Sequence, residues 1–270
     1  MAVAYQTHAI TAIVSTNSIV ITKPTSLAVG DLMVAQIFST STPNSLPSGF
    51  TQLLTTVNTN RSTICYKVAD SGDVAASDFT FGLPGTELLG GALIRISGAT
   101  SANPIPESAG ATATNTATTS FANTITPHVA DSLLLFFTTT TATSITGIST
   151  YAVTTSDPSW TEMYDSIASS VRGFSAAYAT RPQTTATGNS TCAGANIFTT
   201  STWTGQIIAI MPPIETTIAE SVTCTDTIQQ TIRSTYSDTV TPTETITSEK
   251  QKNWATQQKS GTTWTTQDKS

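Results

Sequence analysis

The chain has 270 residues, of which only 10% are Asp, Glu, Lys or Arg, and its net charge is −6. Phosphate backbones are bound by clustered basic side chains, so eleven scattered Lys and Arg residues exclude nucleic acid as an expected partner. Thr makes up about a fifth of the sequence. β-Branched residues lose χ1 freedom in a helix and little on a pleated sheet, so the composition is biased against helices and an all-β fold is expected.

Taken in chain order, the N-terminus from Met1 to His8 has no basic region followed by a continuous apolar run. No signal peptide is expected there, and His8 reads as part of an N-terminal arm. Short strands bounded by turn signals follow: Ser18–Thr22, Asp31–Ser39, Phe50–Thr56, Ser62–Ala69, Asp78–Phe81 and Ala92–Ser97. Within 62–69, Ile64, Tyr66 and Val68 alternate with Thr63, Cys65 and Lys67, the pattern of a half-buried antiparallel strand. Pro47 with Gly49, Ser71-Gly72 and Pro84-Gly85 mark turns between these strands. Residues 99 to 120, rich in Ala, Thr and Ser, read as a long connection.

A second set is expected at Asn123–Thr126, Ser132–Thr139, Trp160–Asp165, Gly173–Thr180 and Gly205–Met211. The longest apolar run, Leu133 to Phe137, is far too short to span a bilayer and reads as a central strand covered on both faces. The two sets resemble each other in order. Ile21-Thr22-Lys23-Pro24 with Gly30-Asp31-Leu32-Met33-Val34 matches Ile125-Thr126-Pro127 with Ala130-Asp131-Ser132-Leu133-Leu134. Pro47 to Thr51 matches Asp157 to Thr161, and Ala92 to Ile96 matches Gln206 to Ile210. An internal duplication is expected, with halves at about 15–98 and 122–212, pairing into one jelly-roll-like sandwich over residues 1–214. Two small sandwiches in tandem are the alternative.

Residues 215–270 have few large apolar side chains, among them Tyr236, Ile246, Trp254 and Trp264. Burying so little cannot offset an ordering cost of about 1–2 kcal/mol per residue. Order in this segment is expected to come from a partner. The end repeats in blocks of ten, placing Trp254 with Gln257 and Trp264 with Gln267. Read as an extended, Trp-anchored ribbon of low charge, it suits addition to another sheet's edge. Trp254, Gln257, Trp264, Gln267, Tyr236 and Ile246 are the candidate assembly residues.

Several of these blocks look familiar together. Gly30-Asp31 before an apolar strand, Pro47-Ser48-Gly49-Phe50-Thr51, Tyr66-Lys67-Val68-Ala69, Gly90-Gly91-Ala92 leading to Ser97-Gly98, and the Asn-Trp-x-x-Gln-x-Lys-Ser tail resemble structural proteins of tailed bacteriophages. The resemblance covers most of the chain but consists of strand patterns. It implies a virion component, either a head decoration or minor capsid protein or a tail-associated part. Such a protein would be made in the host cytoplasm, would contact capsid or tail proteins, and would be homo-oligomeric with a trimer favoured.

Residues with reactive chemistry are sparse. Cys65, Cys192 and Cys224 lack metal-ligand spacing and read as separate buried thiols. Neither His8 nor His128 belongs to a recognisable triad, and no His or Cys motif points to a transition metal. Asp70-Ser71-Gly72-Asp73 falls short of a calcium loop and reads as a turn. Gly188 and Gly194 lie in what reads as a loop, and the sequons at Asn60 and Asn189 mean little without secretion. Glu162 and Asp165 flank Tyr164 near Trp160, but strict alternation puts the two acids on opposite faces. No enzyme, cofactor or metal is expected. The rival reading is a carbohydrate-binding adhesin with Tyr151, Trp160 or Trp203 contacting glycans.

Overall fold

The computed structural model describes residues 2–114, 119–142, 147–153, 159–168, 171–195 and 201–213. The chain divides into two units, Met1–Glu215 and Thr216–Ser270. The second unit, with Tyr236, Ile246, Trp254, Gln257, Trp264 and Gln267, lies outside the described residues.

The first unit contains β1 (Ala4–Thr22), β2 (Leu32–Ser39), β3 (Thr51–Val57), β4 (Arg61–Val68), α1 (Ser71–Ala75) and β5 (Asp78–Ser97). There follow β6 (Glu107–Thr114), β7 (Thr119–Ala122), β8 (Ser132–Thr141), β9 (Gly147–Val153) and β10 (Thr161–Ala168). The last three strands are β11 (Arg172–Arg181), β12 (Ser190–Ala195) and β13 (Thr202–Ile210). One antiparallel sheet runs β1-β5-β2-β4-β3 and a second runs β10-β11-β8-β13-β6; a third, smaller one runs β7-β12-β9.

The two five-stranded sheets pack face to face. Leu32, Val34, Phe38, Ile64, Ile94 and Ile96 of the first meet Leu133, Leu135, Phe137, Phe174, Ile208 and Ile210 of the second. The protein is an all-β sandwich. Its outer faces are covered as well. Met33, Ala35, Ile37, Cys65 and Leu93 lie under Ile19, Ile21, Phe79 and Phe81, contributed by the far halves of β1 and β5, which pair along their whole length. At Gly91 an added Cβ would come within 2.9 Å of the Gln36 carbonyl and 3.1 Å of Ile19 Cδ1, so only glycine lets the ribbon lie this close. On the other side, Leu134, Phe136, Trp203, Ile207 and Ala209 lie under Ala122 of β7 and Ile148 of β9.

Burial on both faces explains where simple alternation falls short. Ile64 and Cys65 do point to opposite faces of β4, but Thr63 and Cys65 are fully buried beneath the ribbon rather than solvated. Burial pushes the Cys65 thiol up to about 12. Leu133 to Phe137 occupy β8, the middle strand of its sheet, and are buried on both sides as their apolar run predicts.

Other expected elements differ. His8 sits within β1 rather than in an arm, because fourteen further residues, 4–17, extend the strand read at 18–22. Pro84-Gly85 is a bulge inside β5 rather than a turn: Thr16 pairs with Glu87 and Ser18 with Gly82, leaving 83–86 opposite Asn17. The connection read at 99–120 contains β6 as an edge strand, Gly194 lies in β12, and β7 ends at Ala122, before Asn123–Thr126.

The two large sheets follow one strand plan. Matching β1, β5, β2, β4, β3 with β6, β13, β8, β11, β10 turns one order into the other. The registers agree residue by residue. Leu32 pairs with Ile96 and Val68, as Leu133 pairs with Ile210 and Thr180. Thr51 pairs with Tyr66 and Thr161 with Tyr178, and each is followed by a bulge two residues on, at Leu53 and at Met163. The sandwich keeps this exchange symmetry, since β1 packs near β10 as β3 packs near β6.

One equivalence shifts by a residue from the sequence match: Leu32 corresponds to Leu133, not to Ser132. Asp131 therefore takes the place of Gly30, and both hold left-handed backbone, at φ +59° and +89°. Asp tolerates that conformation better than most side chains. At the next position, Asp31 accepts the Ala28 N–H and Ser132 donates to the Val129 carbonyl, each clamping its own turn three residues back. Arg95 adds a 2.6 Å ion pair to Asp31.

Two buried glutamines cross the sandwich in opposite directions. Gln36 of the first sheet donates to the Thr138 carbonyl at 3.0 Å and accepts the Tyr164 hydroxyl at 2.8 Å. Gln206 of the second donates to the Ser62 carbonyl at 2.9 Å. Such bonds inside an apolar core fix how one sheet sits on the other, because a displaced amide would be left buried without partners.

Candidate functional site

The glycan-contact candidates do not form one surface. Trp203 is 1% exposed, packed in the core beneath the third sheet with its indole N–H donating to Ser201 Oγ at 3.0 Å. No sugar can stack on a ring enclosed on both faces, so Trp203 is a core residue. Trp160 is half-buried against Phe136, with ring centres 5.9 Å apart. Tyr151 lies in β9, and its side chain is outside the described residues.

The bulge at Met163 corrects the placement of the two acids. Met163 and Tyr164 both turn into the sandwich core, which brings Glu162 and Asp165 together on the outer, exposed side. Asp165 Oδ2 accepts the Ile148 N–H at 2.9 Å. Burial raises both carboxyls above their ordinary range, and the charge of Asp165 adds to the effect at Glu162.

Residues 70–73 make a helix start, not a cation loop. Asp70 caps α1 and exchanges side-chain and backbone hydrogen bonds with Asp73 in a capping box. The Lys67 ammonium lies 2.7 Å from Asp73 Oδ1 and 3.1 Å from Asp70 Oδ2, standing where a metal ion would have to sit. The Asp73 backbone N–H first, and the Lys67 ammonium next, hold the Asp70 carboxyl below its usual range. Among the described residues, no group of three or more His, Cys, Asp and Glu side chains gathers as a metal site. No helix among them is long and apolar enough to cross a membrane.

The most developed side-chain cluster is one that alternation hides. At the seam where β1 meets β10 and β11, the Tyr5 and His8 rings come together, and Tyr5 OH bonds His8 Nδ1 at 2.6 Å. Tyr5 stacks on Tyr178 at 4.8 Å, and His8 leans on Tyr164 at 5.2 Å. Three residues apart on a regular strand, Tyr5 and His8 would face opposite ways. A bulge at Gln6 turns them to the same side. The half-buried strip of Tyr5, His8 and Tyr178 offers flat aromatic surface and one titratable ring, suited to packing and recognition.

Burial lowers the basicity of His8. The unfolded chain therefore binds its proton first, from about pH 6.5 downward. Stability from this group is whole above that pH and is lost as pH falls through the lower folded value. His8→Gln is expected to flatten the decline in thermal midpoint on mild acidification, and a variant with the wild-type acid profile would count against this role. His128, by contrast, lies at the surface with Nε2 2.6 Å from Glu107 Oε1.

No family model, curated protein or solved structure matches this chain.

Proposed function

We propose that this chain is a non-catalytic structural protein of a tailed-bacteriophage particle, a capsid decoration, minor capsid or tail component acting through subunit–subunit contacts. The observation that carries the reading is a sandwich closed on both outer faces under a sequence with only 10% charged residues. Protein interfaces are depleted in charge because hydroxyl and apolar groups are cheaper to desolvate. A body of this kind can be covered by neighbours without stripping water from many ions. Its heavy use of Thr, Ser and Ala fits a part that is permanently surrounded by other subunits.

The tail from 215 to 270 supplies the second half of the proposal, as the segment that knits the sandwich to capsid, tail or sibling chains. Deleting 215–270 is expected to leave the cooperative unfolding transition of the sandwich in place and to abolish incorporation into particles. A truncated chain that incorporates normally contradicts the proposal.

A second reading is favoured by one observation. Trp160, Glu162 and Asp165 lie on the outer side of the second sheet, an aromatic beside two acids as in many sugar sites. On that reading the protein is an adhesin or receptor-binding module on the particle surface. Glycan-array binding that disappears on Trp160→Ala would favour it over a purely structural role.

A further inference from the structure

We infer that β1 is a self-association edge, pairing antiparallel with β1 of a second copy across a two-fold axis. This rests on the assembly reading above and names the surface it uses. β1 is the outermost strand of its sheet. It is nineteen residues long but folds over at its bulges, so that Thr11 Oγ1 donates to the Val20 carbonyl at 2.7 Å, and its first half forms the edge itself. Among the described residues no strand pairs with its outer side; such an edge presents main-chain donors and acceptors to any strand that approaches, and proteins usually protect it with Lys, Pro or inward charges. Ala4–Thr22 contains no Lys, Arg, Asp, Glu or Pro. Ile10, Val14 and Val20 are exposed along it at 39%, 48% and 52%.

The other sandwich edges differ. β10 carries Glu162 and Asp165, β6 opens on Glu107, and β3 has seven residues with a bulge at Leu53. β1 has bulges too, but between those at Gln6 and Ala12 the run Thr7–Thr11 keeps unbroken register with β5. That run is the pairing segment.

Charge selects a second copy as the occupant. Each chain carries −6 overall, so copies repel except where their surfaces are neutral. The first 22 residues contain no ionisable side chain besides Tyr5 and His8. An acidic or basic partner strand would find nothing there to complement it. An identical strand matches by symmetry: with the axis at Ala9, Thr7 lies opposite Thr11 of the partner subunit and His8 opposite Ile10 of the partner subunit. Cross-strand Thr pairs are favourable. The unit is then a dimer, where the phage resemblance favours a trimer.

The test uses the full chain in sedimentation velocity across the micromolar range, with particle incorporation assayed in parallel. Wild type is expected to form a concentration-dependent dimer. Ile10→Lys places like charges about the axis and is expected to weaken the dimer by about tenfold or more, with an unchanged thermal midpoint at concentrations where both proteins are monomeric, because Ile10 is exposed. Val29→Lys makes the same charge change at a position 65% exposed and off the strand, and is expected to leave the dimer intact. Ala9→Cys is expected to yield a disulfide-linked dimer under oxidation that leaves wild type uncrosslinked. An oligomer indifferent to Ile10→Lys overturns the β1 edge while leaving the assembly reading standing. A chain that is monomeric throughout the range also overturns it, and the incorporation assay then decides the assembly reading separately.

Discussion

Phe137→Ala is expected to lower the stability of the sandwich by about 3–5 kcal/mol. Phe137 is fully buried in the middle strand of its sheet, paired on one side with Ala176 and on the other with Gln206. Its ring fills the space between the sheets in the same cluster as Phe38 and Phe174, whose centres lie 6.3 Å apart. Neighbours held in two hydrogen-bond ladders cannot collapse into the vacancy, so the lost transfer energy and the cavity term add. For a unit of this size the thermal midpoint should fall by about 10 °C. Val14→Ala, on the exposed side of β1, should change stability by no more than about 0.5 kcal/mol. Thermal or urea unfolding of the two variants checks the contrast, and equal effects would contradict the sandwich packing.

The second large effect concerns polarity rather than volume. Gln36→Leu keeps the bulk of the side chain but removes the acceptor of the Tyr164 hydroxyl. A buried donor left without a partner costs about 1–3 kcal/mol, and the lost amide bond to the Thr138 carbonyl adds to it. Tyr164→Phe alone leaves the Gln36 carbonyl oxygen unsatisfied in the same way. The double variant removes both polar partners together and should be distinctly more stable than the sum of the singles predicts, by about 1 kcal/mol or more. Additive losses in urea unfolding would mean that the two groups are not coupled across the sandwich.

These two positions also mark how far the sequence could be read. Phe137 was legible. An apolar run from Leu133 to Phe137 has to be covered on both faces, and alternation along β4 correctly assigns Ile64 and Cys65 to opposite sides. The repeat of Phe50-Thr51 in Trp160-Thr161 marks the same place in both sheets, directly before the same bulge. What alternation could not supply was the bulges themselves. One extra residue reverses every side chain beyond it. The inserted residue at Met163 therefore turns Tyr164 inward and unites Glu162 with Asp165, and the one at Gln6 unites Tyr5 with His8. Nothing in the residue types at these points distinguishes a bulge from a regular strand.

The covering ribbon was obscured for a related reason. Pro84-Gly85 carries a turn signal, yet the chain absorbs both residues as a bulge within β5 because the paired β1 continues past them. Residues 4–17 expose apolar Ile10 and Val14 beside polar Gln6, Ser15 and Asn17, while most of their Ala and Thr residues are half-buried, and such an edge strand shows no strong alternation. Trp203 misleads in the opposite direction. A tryptophan in a polar stretch reads as a surface anchor, but the third sheet closes over it and makes it core.

The location and copy number of this chain in purified phage particles test the central claim most directly. The account predicts many copies at regular positions on the capsid or tail, each with its sandwich in contact with neighbouring subunits. Particles that are complete and infectious without a single copy of the chain would contradict it.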